Sequence, residues 1–552
     1  MRGRIYGGRQ LRGNTPEKQK WVSQLDHRVE LGTVGSTDLA VRAHVPATST
    51  QRPLSSSTRK KIERLRAGKP LRVVDLFAGC GGLSLGFKAA GFELLGAVEY
   101  DELAVASHAL NFFSHLAPEQ QKVHATALDI TKIDPEWLLK HLPEEAEYQG
   151  TDIATDEAVD VVIGGPPCQA FSIVGRAKLR AVNNHPLAFK VDSRAELYKD
   201  FLRFVSAYRP LAVLIENVPE ILRFGEHNVA EQIASELEEL GYAVRYTVLN
   251  SVHYGVPQLR DRMFMIAFLA ELNLQPSFPE PSHKYALPRG YRNLRNDVTS
   301  KLAGGLFGSR YFQPPIENTT KGVPAVTAQD AIGDLAPITL HLEGKLKRGA
   351  RRFTEVCPYP VSRHLSSYAK LMREWPGFEN STGVKDHLIR YLPRDYKIFA
   401  RMQPGDEYPQ AHAVAELMFQ EELERRSSAG ETLLPGTEEY QRLRKAFVPP
   451  YDPKKFANKW RKIDANEPVR TITAHIGKDS YSHIHYSSQQ ARTISVREAA
   501  RLQSFPDGFQ YVGTLDPALR QIGNSVPPLM SKALAVRIRD DLAALVRLLE
   551  NV

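Results

Sequence analysis

From residue 71 onward the chain alternates short apolar runs with stretches of helical period. The apolar runs lie at 71–78 (LRVVDLFA), 93–99 (ELLGAVE), 159–165 (VDVVIGG), 211–218 (LAVLIENV), 243–250 (AVRYTVLN) and 262–268 (RMFMIAF). Their length and β-branched content suit buried strands. Helical period fills the gaps at 83–90, from Asp101 onward, at 194–208 and at 229–240. Strand and helix in alternation predict an α/β, doubly wound, Rossmann-like sheet, whose ligands sit beyond the carboxyl ends of its strands.

After Phe268 the rhythm fails. Residues 269–485 are rich in Pro, Gly, Tyr and Arg, with a basic stretch at 343–352 and a charged helical candidate at 411–426. They read as a second, inserted domain of irregular or β-rich character. Helical pattern returns at 495–502 and at 528–549, so 486–552 is expected to rejoin the first domain, 71–268. Residues 1–70 read as a basic, disordered extension that ends in a short helical candidate at 57–67. No internal repeat is visible.

Composition sharpens this picture in three places. With 552 residues, 42% of them hydrophobic, the chain can bury a large core. Three cysteines, Cys80, Cys168 and Cys357, are too few and scattered for a disulfide framework, so a reducing, cytoplasmic setting is expected. No apolar run has the length of a membrane span. The net charge of +9 is concentrated in residues 1–70, which hold 15 Lys and Arg against 5 Asp and Glu. Such a segment either neutralises phosphates of a polyanion or is merely a solvated tail; composition leaves both open.

Three stretches carry chemistry. The first is the glycine-rich turn after the first strand, Gly79-Cys80-Gly81-Gly82, with Glu99 at the end of the next strand. Glycines let a cofactor approach a helix N-terminus, and an acid some twenty residues on suits ribose hydroxyls. Ser84 stands where the dinucleotide pattern has its third glycine, so a dinucleotide site and an empty turn stay open. The second is Gly164-Gly165-Pro166-Pro167-Cys168-Gln169-Ala170-Phe171-Ser172. This strand-end loop, stiffened by two prolines, presents one thiol on the ligand-binding face, as a nucleophile or as an inert buried group. The third is Gln258, Arg260 and Arg262, which alternate and so share one face of an extended segment.

The ordered series DLFAGCGG, VEYDELA, Pro-Cys-Gln, RAELYKDF, IENV, QLRDR, VREAARLQSFPD and QIGNSVPP across residues 73–530 resembles the DNA cytosine-5 methyltransferase family. The resemblance implies a Rossmann-like S-adenosylmethionine-dependent methyltransferase sheet with a target-recognition domain at 269–485. It makes Cys168 the covalent nucleophile toward cytosine C6 and Glu216 the group acting on N3. Arg262 falls near cytosine O2, with Arg260, Gln258 and Arg194 completing the catalytic set. Cofactor contacts are implied for Asp75, Phe77, Gly79, Gly81, Gly82, Glu99, Tyr100, Asp129, Ile130, Pro167, Leu197, Asn524 and Ser525. Gln169, Ser172 and Arg176 are implied at the DNA, although the stretch at 179–192 is long for the family's closing loop. The helix at 497–503 resembles the one that braces the recognition domain.

The expected cofactor is S-adenosyl-L-methionine, released as S-adenosyl-L-homocysteine, with no metal. His475, His483 and His485 lack zinc-ligand spacing and read as surface or DNA-contact residues. The expected partner is double-stranded DNA, met by a monomer. The setting is a restriction-modification system with a separately encoded endonuclease, or an orphan methylase. Two rivals are weighed against this: an RNA methyltransferase on the same scaffold, and a catalytically silent DNA-binding module.

Overall fold

The computed structural model describes residues 53–141, 154–167, 197–223, 228–302, 308–316, 320, 322–345, 355–361, 365–478 and 481–550. Six strands form the main sheet: β1 (Arg72–Leu76), β2 (Glu93–Val98), β3 (Val161–Gly164), β4 (Ala212–Asn217), β5 (Tyr242–Asn250) and β6 (Asp261–Leu269), in the order β2-β1-β3-β4-β6-β5. The first four run parallel, while β6 is antiparallel to both β4 and β5. Because β1 leads first to β2 on one side and later to β3 on the other, the topological switch falls between β1 and β3. Leu76 pairs with Gly164, and Gly164 with Ile215, so the loops after β1, β3 and β4 leave the sheet at one level.

Helices α1 (Ser56–Arg66), α2 (Gly82–Ala89), α3 (Glu102–Phe112), α4 (Leu197–Tyr208) and α5 (Val229–Glu239) accompany this sheet. Their ends follow local chemistry: Ser55, Asp101 and Asn228 cap α1, α3 and α5 by accepting backbone N–H groups of the first turn. Strands β1, β3 and most of β4 and β6 are wholly buried, which accounts for their unbroken apolar runs.

Helix α1 seals the amino edge of the sheet. Lys61 Nζ donates to the carbonyls of Tyr208 and Arg209 at the end of α4, both at 2.9 Å. Asp160, just before β3, is fully buried against Arg72 (2.9 Å) and Arg64 (3.1 Å). Burial opposes ionisation of Asp160, but the hydrogen bonds from Arg72 and the charges of Arg72, Arg64 and Lys61 outweigh it, holding the carboxyl below its usual range.

Between 269 and 485 the described strands are two to four residues long, and helices include α6 (Tyr408–Ser428) and α7 (Glu438–Phe447). Helix α6 contains the charged candidate at 411–426. A separate core gathers Phe399, Tyr408, Phe419 and Trp460 there. Helix α8 (Val496–Leu502) has all seven residues buried, including Arg497, Glu498 and Arg501. Carboxylates near and far explain how: Arg497 meets the distant Asp386 at 2.9 Å, and Arg501 meets Asp507, six residues on, at 2.6 Å and the distant Asp334 at 2.9 Å.

Helix α9 (Leu515–Asn524), which the apolar pattern does not announce, leads to α10 (Pro528–Glu550). A Cβ on Gly86 of α2 would lie 2.3 Å from Ser531 Oγ, and one on Gly82 would lie 2.2 Å from the Val526 carbonyl, so only glycine lets α10 and its lead-in reach α2. Among the described residues no helix is long and apolar enough to cross a membrane.

Candidate active site

The carboxyl edge collects most of the residues singled out above. After β1 the chain turns through Phe77 (φ 61°), Gly79 (φ 57°) and Gly81 (φ 101°) into α2. Left-handed backbone at a phenylalanine is strained by about 1–3 kcal/mol, which the surrounding packing must sustain. At Gly81 a Cβ would fall 2.3 Å from the Phe112 ring, so the turn lies flat on α3.

Glu99, leaving β2, braces this loop. Its carboxylate accepts from the backbone N–H groups of Gly79 (2.8 Å), Tyr100 (2.8 Å) and Asp101 (2.7 Å). Burial pushes its pKa up, while those three donors pull it back. Oε2, which among the described residues accepts only from Gly79, retains acceptor capacity for a ligand hydroxyl, whereas Oε1 already accepts from both Tyr100 and Asp101. Tyr100 beside it is 74% exposed, an aromatic face free for stacking. Asp129 caps the short turn Ile130–Lys132, accepting from Thr131, and Arg203 fixes that turn through the Ile130 and Ile133 carbonyls at 2.7 and 2.9 Å. Ile130 is buried, whereas Leu197 at the start of α4 and Pro167 after β3 are half-buried. Asn524 is exposed at the end of α9, and Ser525 is buried with its hydroxyl 3.1 Å from Cys80 Sγ. Asp75 is fully buried within the sheet, behind the loop rather than on its surface.

The second half of the site lies at the ends of β3, β4 and β6. Glu216 pairs with Phe264, which puts Arg262 diagonally across on the same face. Their charged ends meet at 2.9 Å, with both side chains mostly buried. Burial raises the pKa of Glu216, and Arg262 and Arg260 moderate the rise, so the carboxyl can take up a proton closer to neutrality than a free one. Asn217 Nδ2 donates to the Pro166 carbonyl at 3.1 Å, anchoring the two-proline loop beside Glu216. Gly165 faces Glu216, where a Cβ would lie 3.0 Å from Oε2. The sequence reading passed over Asn217, whose only local signal is its place after Glu216.

Arg262 is brought to Glu216, but Gln258 and Arg260 stand behind the pair. Gln258 is buried, donating to the Leu502 carbonyl (3.1 Å) and the Gln503 side chain and accepting from Ile472 N (2.9 Å). Arg260 holds the carbonyls of Ile472, Gly523 and Ser525 at 2.9, 3.0 and 3.1 Å. Cys168, Gln169, Ser172, Arg176 and Arg194, with the long stretch at 179–192, lie outside the described residues.

His483 and His485 were expected at the surface or at DNA, yet they are 2% and 1% exposed, and His483 bonds to the Arg470 carbonyl. Their polarity is answered inside the protein, which the local sequence does not reveal; His475 is exposed. Cys80 is a buried thiol whose pKa burial pushes up to about 12, which disfavours it as a nucleophile.

The family model of C-5 cytosine-specific DNA methylases matches residues 71–540. The type II methyltransferase designated M.OihORF3336P of Oceanobacillus iheyensis is 34% identical to this chain, over 88% of it and 98% of the relative. Type II methyltransferase M.AgeI of Thalassovita gelatinovora is 31% identical over 85% of this chain and 99% of its own length. Among solved structures, a DNA modification methyltransferase encoded within an Escherichia coli prophage shares the fold with a TM-score of 0.52 at 21% identity, covering 86% of this chain and 99% of that one.

Proposed function

The chain belongs to the C-5 cytosine-specific DNA methylase family, and from that premise we propose that it methylates C5 of a cytosine turned out of double-stranded DNA, using S-adenosylmethionine and a covalent Cys168 adduct. The observation that carries the reading is the Glu216–Arg262 pair at the sheet's carboxyl edge, beside the loop that leads into Cys168.

The chemistry follows from what cytosine lacks. Its C5 is too weak a nucleophile to take a methyl group, so the Cys168 thiolate adds to C6 and makes C5 an enamine carbon. As negative charge moves toward N3, Glu216 delivers a proton there, which its raised pKa favours. Arg262 holds Glu216 and offers its remaining N–H groups to the base oxygen. Loss of the C5 proton and departure of the thiolate then release methylated DNA.

The donor set around the glycine-rich turn suits the cofactor: Glu99 for ribose hydroxyls, the exposed Tyr100 ring for adenine, Asp129 for the adenine amino group, and Phe77, Ile130, Pro167 and Leu197 as apolar walls. Gly79, where a Cβ would meet nothing within 4 Å, leaves room for the backbone to approach it, while Gly81 and Gly82 seat the turn on α3 and on the segment at Val526, with Asn524 and Ser525 closing the far side. S-adenosylmethionine supplies the electrophilic methyl group.

Residues 269–485 read the DNA sequence in this proposal, and α8 braces them. The type II names of the relatives favour a restriction-modification setting with a partner endonuclease.

Bisulfite sequencing of DNA from a methylation-free host expressing the chain tests base and site together. With 5-fluorocytosine at the target, a denaturation-resistant adduct is expected that maps within 164–176 and vanishes in Cys168→Ser. An adduct at Cys80 or Cys357 overturns the mechanism.

A further inference from the structure

Three side chains from three different elements meet beneath the glycine-rich turn, and none reaches its surface. Asp75 is the last residue but one of β1, Ser84 lies in the first turn of α2, and His108 lies on α3; all three are fully buried. Ser84 Oγ donates to Asp75 Oδ2 at 2.6 Å, and His108 Nε2 lies 2.9 Å from the same hydroxyl. Burial pushes the Asp75 carboxyl up to about 7, and in its ionised form it takes the one proton the hydroxyl has to give. His108 therefore carries its proton on Nε2 and donates it to Ser84. Burial pushes the ring's pKa down to about 3, so it is neutral and has only that one proton.

This arrangement is a costly way to fill a core. Asp75 Oδ1 and His108 Nδ1 meet no hydrogen-bond partner among the described residues, and the ring is packed against Phe112, with centroids 4.6 Å apart. An apolar trio of the same volume would avoid both unmet groups. What the trio does fix is the plane of the His108 ring, and Gly81 rests on the edge of that ring: a Cβ there would be 2.9 Å from His108 Cδ2.

We propose that Asp75, Ser84 and His108 form a buried positioning relay that holds the turn at Gly79–Gly81 in its cofactor-binding shape, so that its integrity sets affinity for S-adenosylmethionine. The inference rests on the cofactor reading above. Asp75 then acts on the cofactor through the loop's backbone, and Ser84 fills the place where the dinucleotide pattern has a glycine because a hydroxyl is needed there. Glu99, on the opposite side of the loop, supplies direct contact, whereas the relay supplies shape.

The test is calorimetric titration of the full chain with S-adenosylmethionine and with S-adenosylhomocysteine. The wild-type titration judges the cofactor reading itself. Given wild-type binding, Ser84→Ala and His108→Phe are expected to weaken it about five- to tenfold, the worth of one internal hydrogen bond. His108→Gln, whose amide can still donate to Ser84, should retain affinity within about threefold. Steady-state kinetics should show the loss in KM for the cofactor far more than in kcat, with DNA affinity following neither. Ser84→Ala binding as tightly as wild type overturns the relay. So does equal weakening by His108→Gln and His108→Phe at matched Tm, which would mark the trio as core packing alone.

Discussion

The two edges of the main sheet handle charge in opposite ways. At the amino edge Asp160 is enclosed by Arg72, Arg64 and Lys61, and helix α1 shuts the assembly from solvent. At the carboxyl edge Glu216 has Arg262 and Glu99 has only backbone donors, and burial leaves both carboxyls with raised pKa values. The first arrangement satisfies a charge; the second leaves it partly unsatisfied. Backbone strain does not follow this division, since Phe77 is held at φ 61° beside the carboxyl edge and Arg209 at φ 40° beside the amino edge. In the handling of charge, stability is thus concentrated on one side of the sheet and reactivity on the other.

Exchanging single groups across this divide should separate rate from stability. Glu216→Gln is expected to slow methyl transfer about 10²- to 10⁴-fold, the usual worth of a proton donor, while cofactor affinity and Tm change little. A comparable fall in Tm would show that the carboxyl edge is structural too. Asp160→Ala should do the reverse, costing about 3–5 kcal/mol by leaving cations buried without their anion. Denaturant unfolding measures that loss, and the folded fraction should keep near wild-type kcat. Glu99→Ala should weaken S-adenosylmethionine about ten- to a hundredfold, since it removes one acceptor from three loop donors, with DNA binding spared. The smallest effect concerns acid. Asp160 has a lowered pKa, so its contribution is present above the unfolded value of about 4 and is lost as pH falls through the folded one. Glu216 and Glu99, being raised, favour the folded state more as they protonate. The stability gap between wild type and Asp160→Asn should therefore close below about pH 4, whereas Glu216→Gln should leave that acid limb in place.

The periodic half of the molecule was open to inspection in the chain: the runs at 71–78, 93–99 and 211–218 each hold a strand within a few residues of the observed ends. What stayed hidden were facts settled by distant partners. The insertion of β6 between β4 and β5 depends on pairing that no local pattern records. VREAARL looks like a helix with its charges outward, yet Arg497 and Arg501 point inward because Asp386 and Asp334, more than a hundred residues away, meet them. For the site, Glu216 and Arg262 were each legible, and the sheet register brings them together. The equal spacing of Gln258, Arg260 and Arg262 said nothing of how differently they are used, since that depends on the segment around 472 and 503–525.

Arg260 grips carbonyls 263 and 265 residues further along the chain. During synthesis, at about 5–20 residues per second, Ser525 emerges roughly 13–50 s after Arg260. Throughout that interval the sheet can assemble while Arg260 lacks these partners and α2 lacks the strap that follows Val526. A nascent chain that has not yet reached Ser525 therefore carries an assembled sheet whose Arg260 and α2 still await the partners that fix them.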